Sequence, residues 1–395
     1  MKKIVALVLV AVMLCACFAG CASTTSTSTS GDSNAKTVKI GIFEPASGAN
    51  GAGGKQETLG VKYANTKQPT VEINGETYQV ELVPVDNQSD DTKGVTAAAE
   101  LVQKDVSVVL GSYGSSVSIA ASPTFQEAGL AAIGITCTNE QVTKGNDHYY
   151  RICFLDPFQG SVLAKNVFDS GVKKAYVLAE TGNAYDLGLA SSFKTKFESL
   201  GGEVVEANFV KDTADFSSYI SSAVSSGCGA IFAPTSIQYA QLIIQAANTQ
   251  GVKIPLMAGD TWDSNVILEG AKGTDLAIQV TTFYQEGGNK EFDEGFKAWL
   301  NSDKQALTDN GGNDIISAVS AMGYDAYFVA LEAIKKAAST DKAAIKTALP
   351  SVTYTGVSGE IKFDENGDAV RDVAYIKKVN TSTGDWEFVK EQGVS

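Results

Sequence analysis

Histidine is almost missing from this chain: His148 is the only one in 395 residues. Its scarcity excludes the histidine-rich zinc sites and weakens any Ser-His-Asp arrangement, since His148 follows the polar stretch Gly145-Asn146-Asp147 and reads as an exposed loop residue. Cysteine is scarce as well. Cys15, Cys17 and Cys21 belong to the N-terminal leader, which leaves Cys137, Cys153 and Cys228. Three cysteines at wide spacing are neither a disulfide framework nor a zinc pattern. They read as small buried apolar residues, and a Cys137–Cys153 bridge stays open without support. After the leader there is no long apolar run, so no transmembrane helix is expected. Positive charge is the minority sign, with 31 Lys and Arg against 45 Asp and Glu. Such a surface repels nucleic acid and anionic lipid, and neither is expected as a partner.

Nucleotide and metal motifs are absent on inspection. No GxGxxG occurs. Gly48–Gly54 before Lys55 is glycine-rich, but Ala49 stands where a phosphate loop needs its first glycine, and Gln56 follows the lysine in place of Ser or Thr. The run Asp364-Glu365-Asn366-Gly367-Asp368 begins like a calcium loop, yet Ala369 takes the sixth position and Tyr375 the twelfth; a surface turn at Asn366-Gly367 is expected instead. No pair of carboxylates is singled out by spacing. The expectation is a protein that is not an enzyme and needs no cofactor or metal.

What is present begins at the N-terminus. Lys2 and Lys3 precede an apolar stretch from Ile4 to Phe18, closed by Ala19-Gly20-Cys21. The stretch is short for a span of about 20 residues. Small residues just before a cysteine look like a bacterial lipoprotein signal. Cleavage before Cys21 would acylate it and leave the mature chain extracytoplasmic, held at the membrane by lipid alone. The alternative is a signal cut elsewhere, with Cys21 an ordinary thiol; the polar tether that follows favours the anchor. Residues 22–36, rich in Ser and Thr, cannot build a core, and their reach is about 20 Å. Removing residues 1–20 takes away Lys2, Lys3 and no carboxylate, so the net charge moves from −14 to −16 over 375 residues. That length exceeds one hydrophobic core and predicts two lobes.

From Val38 short β-rich runs alternate with helical ones. Strands are expected at 38–43, 106–110 and 131–135, with helices at 55–65, 90–104 and 115–128 between and after them. Asn74-Gly75 between 70–73 and 78–85 signals a hairpin. Asp156 as N-cap and Pro157 in the first turn open a helix that Gly171 can stop. Strands at 175–179, 204–209, 230–233 and 254–257 then alternate with helices at 185–200, 216–225 and 238–250. A strand at 278–283 is followed by helices at 291–301, 314–338 and 342–349, and by closing strands at 373–379 and 386–390. The β-α-β-α pattern, run twice, predicts two doubly wound lobes with parallel sheets. The late helices suggest that the chain crosses between lobes more than once.

In open α/β sheets ligands gather at the carboxyl ends of strands. Three turns there are polar. Leu110-Gly111-Ser112-Tyr113-Gly114-Ser115-Ser116 opens a helix whose free N–H groups suit a carboxylate or phosphate; Ser115 is either a ligand hydroxyl or a plain N-cap. Thr136-Cys137-Thr138-Asn139 offers hydroxyls and carbonyls, with Cys137 as packing. Asp260 in Gly259-Asp260-Thr261-Trp262 can meet an ammonium or cap the next segment.

With these turns in place, the chain from about Val38 onward resembles the extracytoplasmic substrate-binding proteins of branched-chain amino acid ABC transporters, the leucine/isoleucine/valine type. Further markers are Arg151–Gly160, Asn183-Ala184-Tyr185-Asp186-Leu187-Gly188, Asp215-Phe216-Ser217-Ser218, Gly323-Tyr324-Asp325-Ala326 and Phe363–Gly367. The resemblance implies a type I periplasmic-binding-protein fold: two doubly wound parallel-sheet lobes joined by a three-crossover hinge. Its lobes would be 37–156 with 285–365, and 157–284 with 366–395, after a signal at 1–20 and a tether at 21–36. It also implies a monomer that captures an amino acid, branched-chain or similarly apolar, and delivers it to ABC permease subunits. A sensing module that binds an amide or small carboxylate and signals to a receptor is the alternative. By position, Ser115 would take the ligand carboxylate. The Thr136 carbonyl, Thr138 hydroxyl and Asp260 would take the ammonium, and Tyr185 would close from the second lobe, although from its residues alone Tyr185 reads as a core residue at a helix start. Thr235 stands where relatives often carry an aromatic residue, Asp260 where many carry glutamate, and Gly53 where some carry a bulkier wall. These departures imply room for a larger or more polar side chain.

Overall fold

Two sheets, each covered by helices on both faces, organise the chain. The computed structural model describes residues 36–393; the expected lipoprotein signal at 1–20, Cys21 and the expected tether up to residue 35 lie outside the described residues.

The first sheet is built from β1 (Thr37–Glu44), β2 (Thr70–Ile73), β3 (Glu76–Asp86), β4 (Val108–Leu110), β5 (Ala132–Gly134) and β6 (Tyr149–Arg151), in the order β2-β3-β1-β4-β5-β6. All neighbours are parallel except β2 and β3, a hairpin turning at Asn74 and Gly75, both with positive φ. Helices α1 (Gly51–Lys67), α2 (Asp91–Gln103) and α3 (Ser115–Glu127) connect the strands. The central strands are buried on both faces, which is why they read as continuous apolar runs.

The chain then crosses into α4 (Asp156–Asp169) and a second sheet: β7 (Lys174–Glu180), β8 (Glu203–Phe209), β9 (Ala230–Phe232), β10 (Leu256–Ala258) and β11 (Ile278–Thr282). Helices α5 (Ala184–Ser199), α6 (Ser217–Ser225), α7 (Ile237–Thr249) and α8 (Asn265–Ala271) lie between them. A second crossing leads to α9 (Lys290–Ser302), α10 (Lys304–Asp309), α11 (Ala318–Ala337), α12 (Lys342–Ala348) and the hairpin β12 (Thr353–Gly356)–β13 (Gly359–Lys362). A third crossing brings β14 (Ala374–Asn380) and β15 (Asp385–Gln392) onto the second sheet as antiparallel strands, giving β15-β14-β11-β10-β9-β7-β8. The strand order reverses between β1 and β4 in one lobe and between β7 and β9 in the other. These are the places where a doubly wound sheet opens a crevice at its carboxyl edge.

The late helices belong to the first lobe because α11 lies against α1. A Cβ on Gly60 would stand 1.9 Å from the Ser320 carbonyl oxygen, and one on Gly323 2.2 Å from the Glu57 carbonyl oxygen. The Ser320 hydroxyl donates to the Gln56 carbonyl oxygen at 2.8 Å. Gly60→Ala is therefore expected to force the two helices apart and destabilise the protein by about 1–3 kcal/mol, read as a lower denaturant midpoint at unchanged slope.

Four expectations are corrected. Helix α1 begins at Gly51 rather than Lys55, because its glycines accept close neighbours there that no side chain would tolerate. Residues 314–317 precede α11, and α10 was not foreseen. Asp156 is not an N-cap: it is the first residue of α4, and neither of its buried carboxylate oxygens has a hydrogen-bond partner. His148 is buried, not exposed, because its carbonyl accepts from the Ala132 N–H as β5 and β6 pair. Cys137, Cys153 and Cys228 are free and buried, with no bridge between the first two.

Candidate functional site

The carboxyl ends of both sheets face a cavity of about 310 Å³. The segment after β1 supplies Ala49 and Asn50, and the turn after β4 supplies Tyr113, Ser115 and Ser116. From the second lobe come Asn183 and Tyr185 after β7, Ser236 after β9 and Thr261 after β10. The lobes touch around it. The Asn139 side-chain amide donates to the Ala184 carbonyl at 2.7 Å, and the Ala184 N–H to the Ser116 hydroxyl at 2.8 Å. Gln238 N–H reaches the Ala49 carbonyl at 3.1 Å, and Lys211 pairs with Asp90 at 3.0 Å. This is a clamp with its jaws in contact.

Ser115 is the first residue of α3, after Gly114, so the helix presents its unpaired N–H groups toward the cavity. Its hydroxyl accepts from the Asn139 N–H at 3.2 Å, which joins this turn to the one after β5. In that second turn Thr136 donates to Glu57, while the Thr138 hydroxyl is buried without a partner. Asp260 opens a single 3-10 turn, Asp260–Trp262, and is 2% exposed. Its Oδ1 accepts from Gln159 Nε2 at 2.7 Å and from the Tyr185 hydroxyl at 2.9 Å; among the described residues no donor reaches Oδ2. Tyr185 thus lines the cavity and covers Asp260 at once. Of the predicted residues only Ser115 and Tyr185 line the cavity, while Thr136, Thr138 and Asp260 lie behind its wall; Thr235 is off it too, its hydroxyl accepting from Trp262 Nε1 at 3.3 Å and its carbonyl from the Thr261 hydroxyl at 2.9 Å, so it braces the Asp260 turn.

The interior beside these residues is strongly acidic. Burial pushes the Asp260 carboxyl up to about 6, against hydrogen bonds from Gln159 and Tyr185 that favour its ionised form. Burial also raises Asp156 to about 8 and Glu57 to about 8, and holds Glu44 well above the usual carboxylate range, with the neighbouring Glu57 adding to it. Lys377, one buried cation nearby, pairs with Asp263 at 3.0 Å, and Arg151, another, is already committed. It pairs with Asp368 and donates to the carbonyls of Cys137 and Asn139 and to the Thr143 hydroxyl. Among the described residues no group of three or more histidine, cysteine or carboxylate side chains forms a metal site.

Sequence reasoning missed Gln159, Tyr113, Glu44 and Glu57. Glu44 accepts the Tyr113 N–H at 2.7 Å and Glu57 holds Thr136, so the two acids sit under both ligand turns. The room over Gly53 is not free either, because the Tyr113 ring occupies it.

A family model described as periplasmic binding protein matches residues 37–385. The structure is similar to the leucine binding protein LivK of Thermotoga maritima, with TM-score 0.80 and 30% identity over 90% of this chain and 99% of that one. It is similar to the branched-chain amino acid substrate binding protein LivJ of Streptococcus pneumoniae in complex with isoleucine, with TM-score 0.78, 25% identity, and 91% and 99% of the two chains covered. A curated relative, Leu/Ile/Val-binding protein homolog 1 of Brucella abortus, is 28% identical over 335 residues, covering 84% of this chain and 87% of its own.

Proposed function

We propose that this chain, which belongs to the periplasmic binding protein family, captures an amino acid between its lobes outside the cytoplasm and passes it to an ABC permease. The observation that carries the reading is Asp260: a buried carboxylate, covered by Tyr185 from the cavity, that lacks a cation. The ligand ammonium would meet Asp260, the Thr138 hydroxyl and the Thr136 carbonyl. Its carboxylate would meet Ser115 and the first N–H groups of α3. Tyr185 closes the far side, and Thr235 steadies the turn that carries Asp260. Closure removes water, and a charge pair is stronger in the drier site.

With lobes at 37–156 with 285–365 and 157–284 with 366–395, Ser115, Thr136 and Thr138 would belong to one jaw and Tyr185 and Asp260 to the other. The lipid anchor at Cys21 rests on the leader sequence, and it would keep the clamp within reach of its permease.

Thermal-shift measurements on the mature chain against the common amino acids test the reading. A ligand at a hundred times its Kd adds about 2.7 kcal/mol to stability. At roughly 2–4 °C per kcal/mol for a protein of this size, the melting temperature is expected to rise by about 5–10 °C. Aromatic carboxylates, which bring no ammonium to Asp260, are expected to leave it unchanged. No shift with any amino acid at millimolar concentration would reject the reading.

A further inference from the structure

We propose that the hinge carries a second ligand site, separate from the cleft, for a medium-chain alkyl carboxylate: its head meets Arg371, and its chain lies on apolar walls where the three crossings come together.

A cavity of about 730 Å³ draws its walls from all three crossings: Phe154 from the first, Phe283 from the second, and Phe363 and Val370–Val373 from the third. The Phe154 and Phe283 rings lie with centroids 4.3 Å apart and make one apolar wall, which Tyr375 of β14 extends. Eight large hydrophobic side chains are exposed among the described residues, and three of them gather here. Val370, 69% exposed, and Val373 line the cavity, and the Phe388 ring stands beside that of Tyr375. The head group follows from Arg371. The chain has only two arginines, and Arg151 is held by Asp368. Arg371 lines the cavity, and among the described residues its printed bonds are all to neutral oxygens: Nε donates to the Ile152 carbonyl at 3.0 Å, and the two terminal nitrogens to the Ser358 carbonyl and hydroxyl. Three of its five N–H groups are thus engaged, and two are left for a ligand. The buried Asp325 carboxylate is linked to it only through that Ser358 hydroxyl. Burial works against the guanidinium charge and lowers its pKa. An anion there gains a charge-assisted, two-pronged contact. The other charged lining residues limit what fits. Asp364 accepts from the Asn366 and Asp368 N–H groups, while Glu360, Lys362, Asp372 and Glu391 are exposed. Three exposed carboxylates against one lysine oppose a multivalent anion, so the occupant is a monoanion with an apolar body.

Calorimetry with hexanoate, octanoate and decanoate, kept below their micellar concentrations, tests this on the native chain. Affinity is expected to rise by about threefold to fourfold for each added methylene. Octyltrimethylammonium, the same chain with the opposite charge, should bind at least tenfold more weakly than octanoate. Benzoate offers the head without the chain; it should bind at least tenfold more weakly as well, too weakly at millimolar concentration to move the melting temperature. Arg371→Gln removes the cation and should weaken octanoate by tenfold or more without weakening octyltrimethylammonium. Val370→Glu sets a carboxylate on the path of the chain at an exposed position; it should fold whatever becomes of Arg371→Gln, and should also weaken octanoate by tenfold or more. No octanoate binding at millimolar concentration, affinity independent of chain length, equal binding of the cationic chain, or unchanged octanoate affinity in Val370→Glu would each overturn the proposal. So would displacement of octanoate by an amino acid that competes for the same site. These comparisons stand whether or not the cleft binds an amino acid, so their failure and that of the proposed function are told apart.

Discussion

Asp260→Ala is expected to weaken amino acid binding by about 2–5 kcal/mol, the loss typical when one partner of a buried charge pair is removed. The effect should be large because Asp260 is 2% exposed and Gln159 and Tyr185 hold it from one side only. Asp260→Asn separates charge from shape: it keeps the size of the side chain and loses the attraction. The native protein should also bind with a characteristic pH profile. In the empty cleft burial raises the Asp260 carboxyl from its ordinary 3.8 to about 6. A bound ammonium favours the ionised form, so the pKa is lower in the complex than in the empty protein. Below about pH 6 the ligand must then displace a proton, and affinity should fall by up to tenfold per pH unit. Above pH 6 this dependence vanishes. Isothermal titration in buffers of different ionisation enthalpy reads the released proton directly. Unchanged affinity in Asp260→Ala would remove Asp260 from the ligand site.

The architecture was legible for a physical reason. A parallel strand buried on both faces needs an unbroken apolar run, and its return helix needs a longer amphipathic one, so the alternation of β1 to β11 with their helices is written locally. Where the contact is distant, local rules fail. Gly51–Gly54 discourages a helix on propensity alone, yet α1 starts there because Pro45 and Tyr113 press against those glycines. The candidate site divides in the same way. Ser115, Thr138, Tyr185 and Asp260 lie at strand-to-helix turns, and a rule about sheets brings such turns together. Gln159 is different. It bonds Asp260 from 101 residues away, out of the middle of a helix turn that looks like ordinary surface. Asp368 was read as part of a surface turn, whereas its carboxylate is buried against a residue 217 positions earlier. Thr235 fell at the right end of the right strand, and only the position of Trp262 shows where its hydroxyl is engaged.

That distant pair carries the second large effect. Arg151 is fully buried, and its guanidinium joins three things: the Asp368 carboxylate, the Thr143 hydroxyl, and the carbonyls of Cys137 and Asn139. The last two belong to the turn that bears Thr136 and Thr138, so this cation shapes the ligand turn without touching the cavity. Arg151→Met keeps much of the volume but leaves the buried Asp368 carboxylate with the Thr143 hydroxyl as its side-chain donor and no cation, and takes the guanidinium donor from the Cys137 and Asn139 carbonyls. The expected loss is about 3–5 kcal/mol of stability, the cost of breaking a buried ion pair by removing one partner. Asp368→Asn added to Arg151→Met removes the stranded charge and should restore part of that loss, since the penalty comes from the unpaired ion more than from the missing attraction. Chemical denaturation of the native chain, both single variants and the double variant closes the cycle. A double variant no more stable than Arg151→Met alone would mean that the guanidinium acts through the carbonyls of the Thr136–Asn139 turn and not through Asp368.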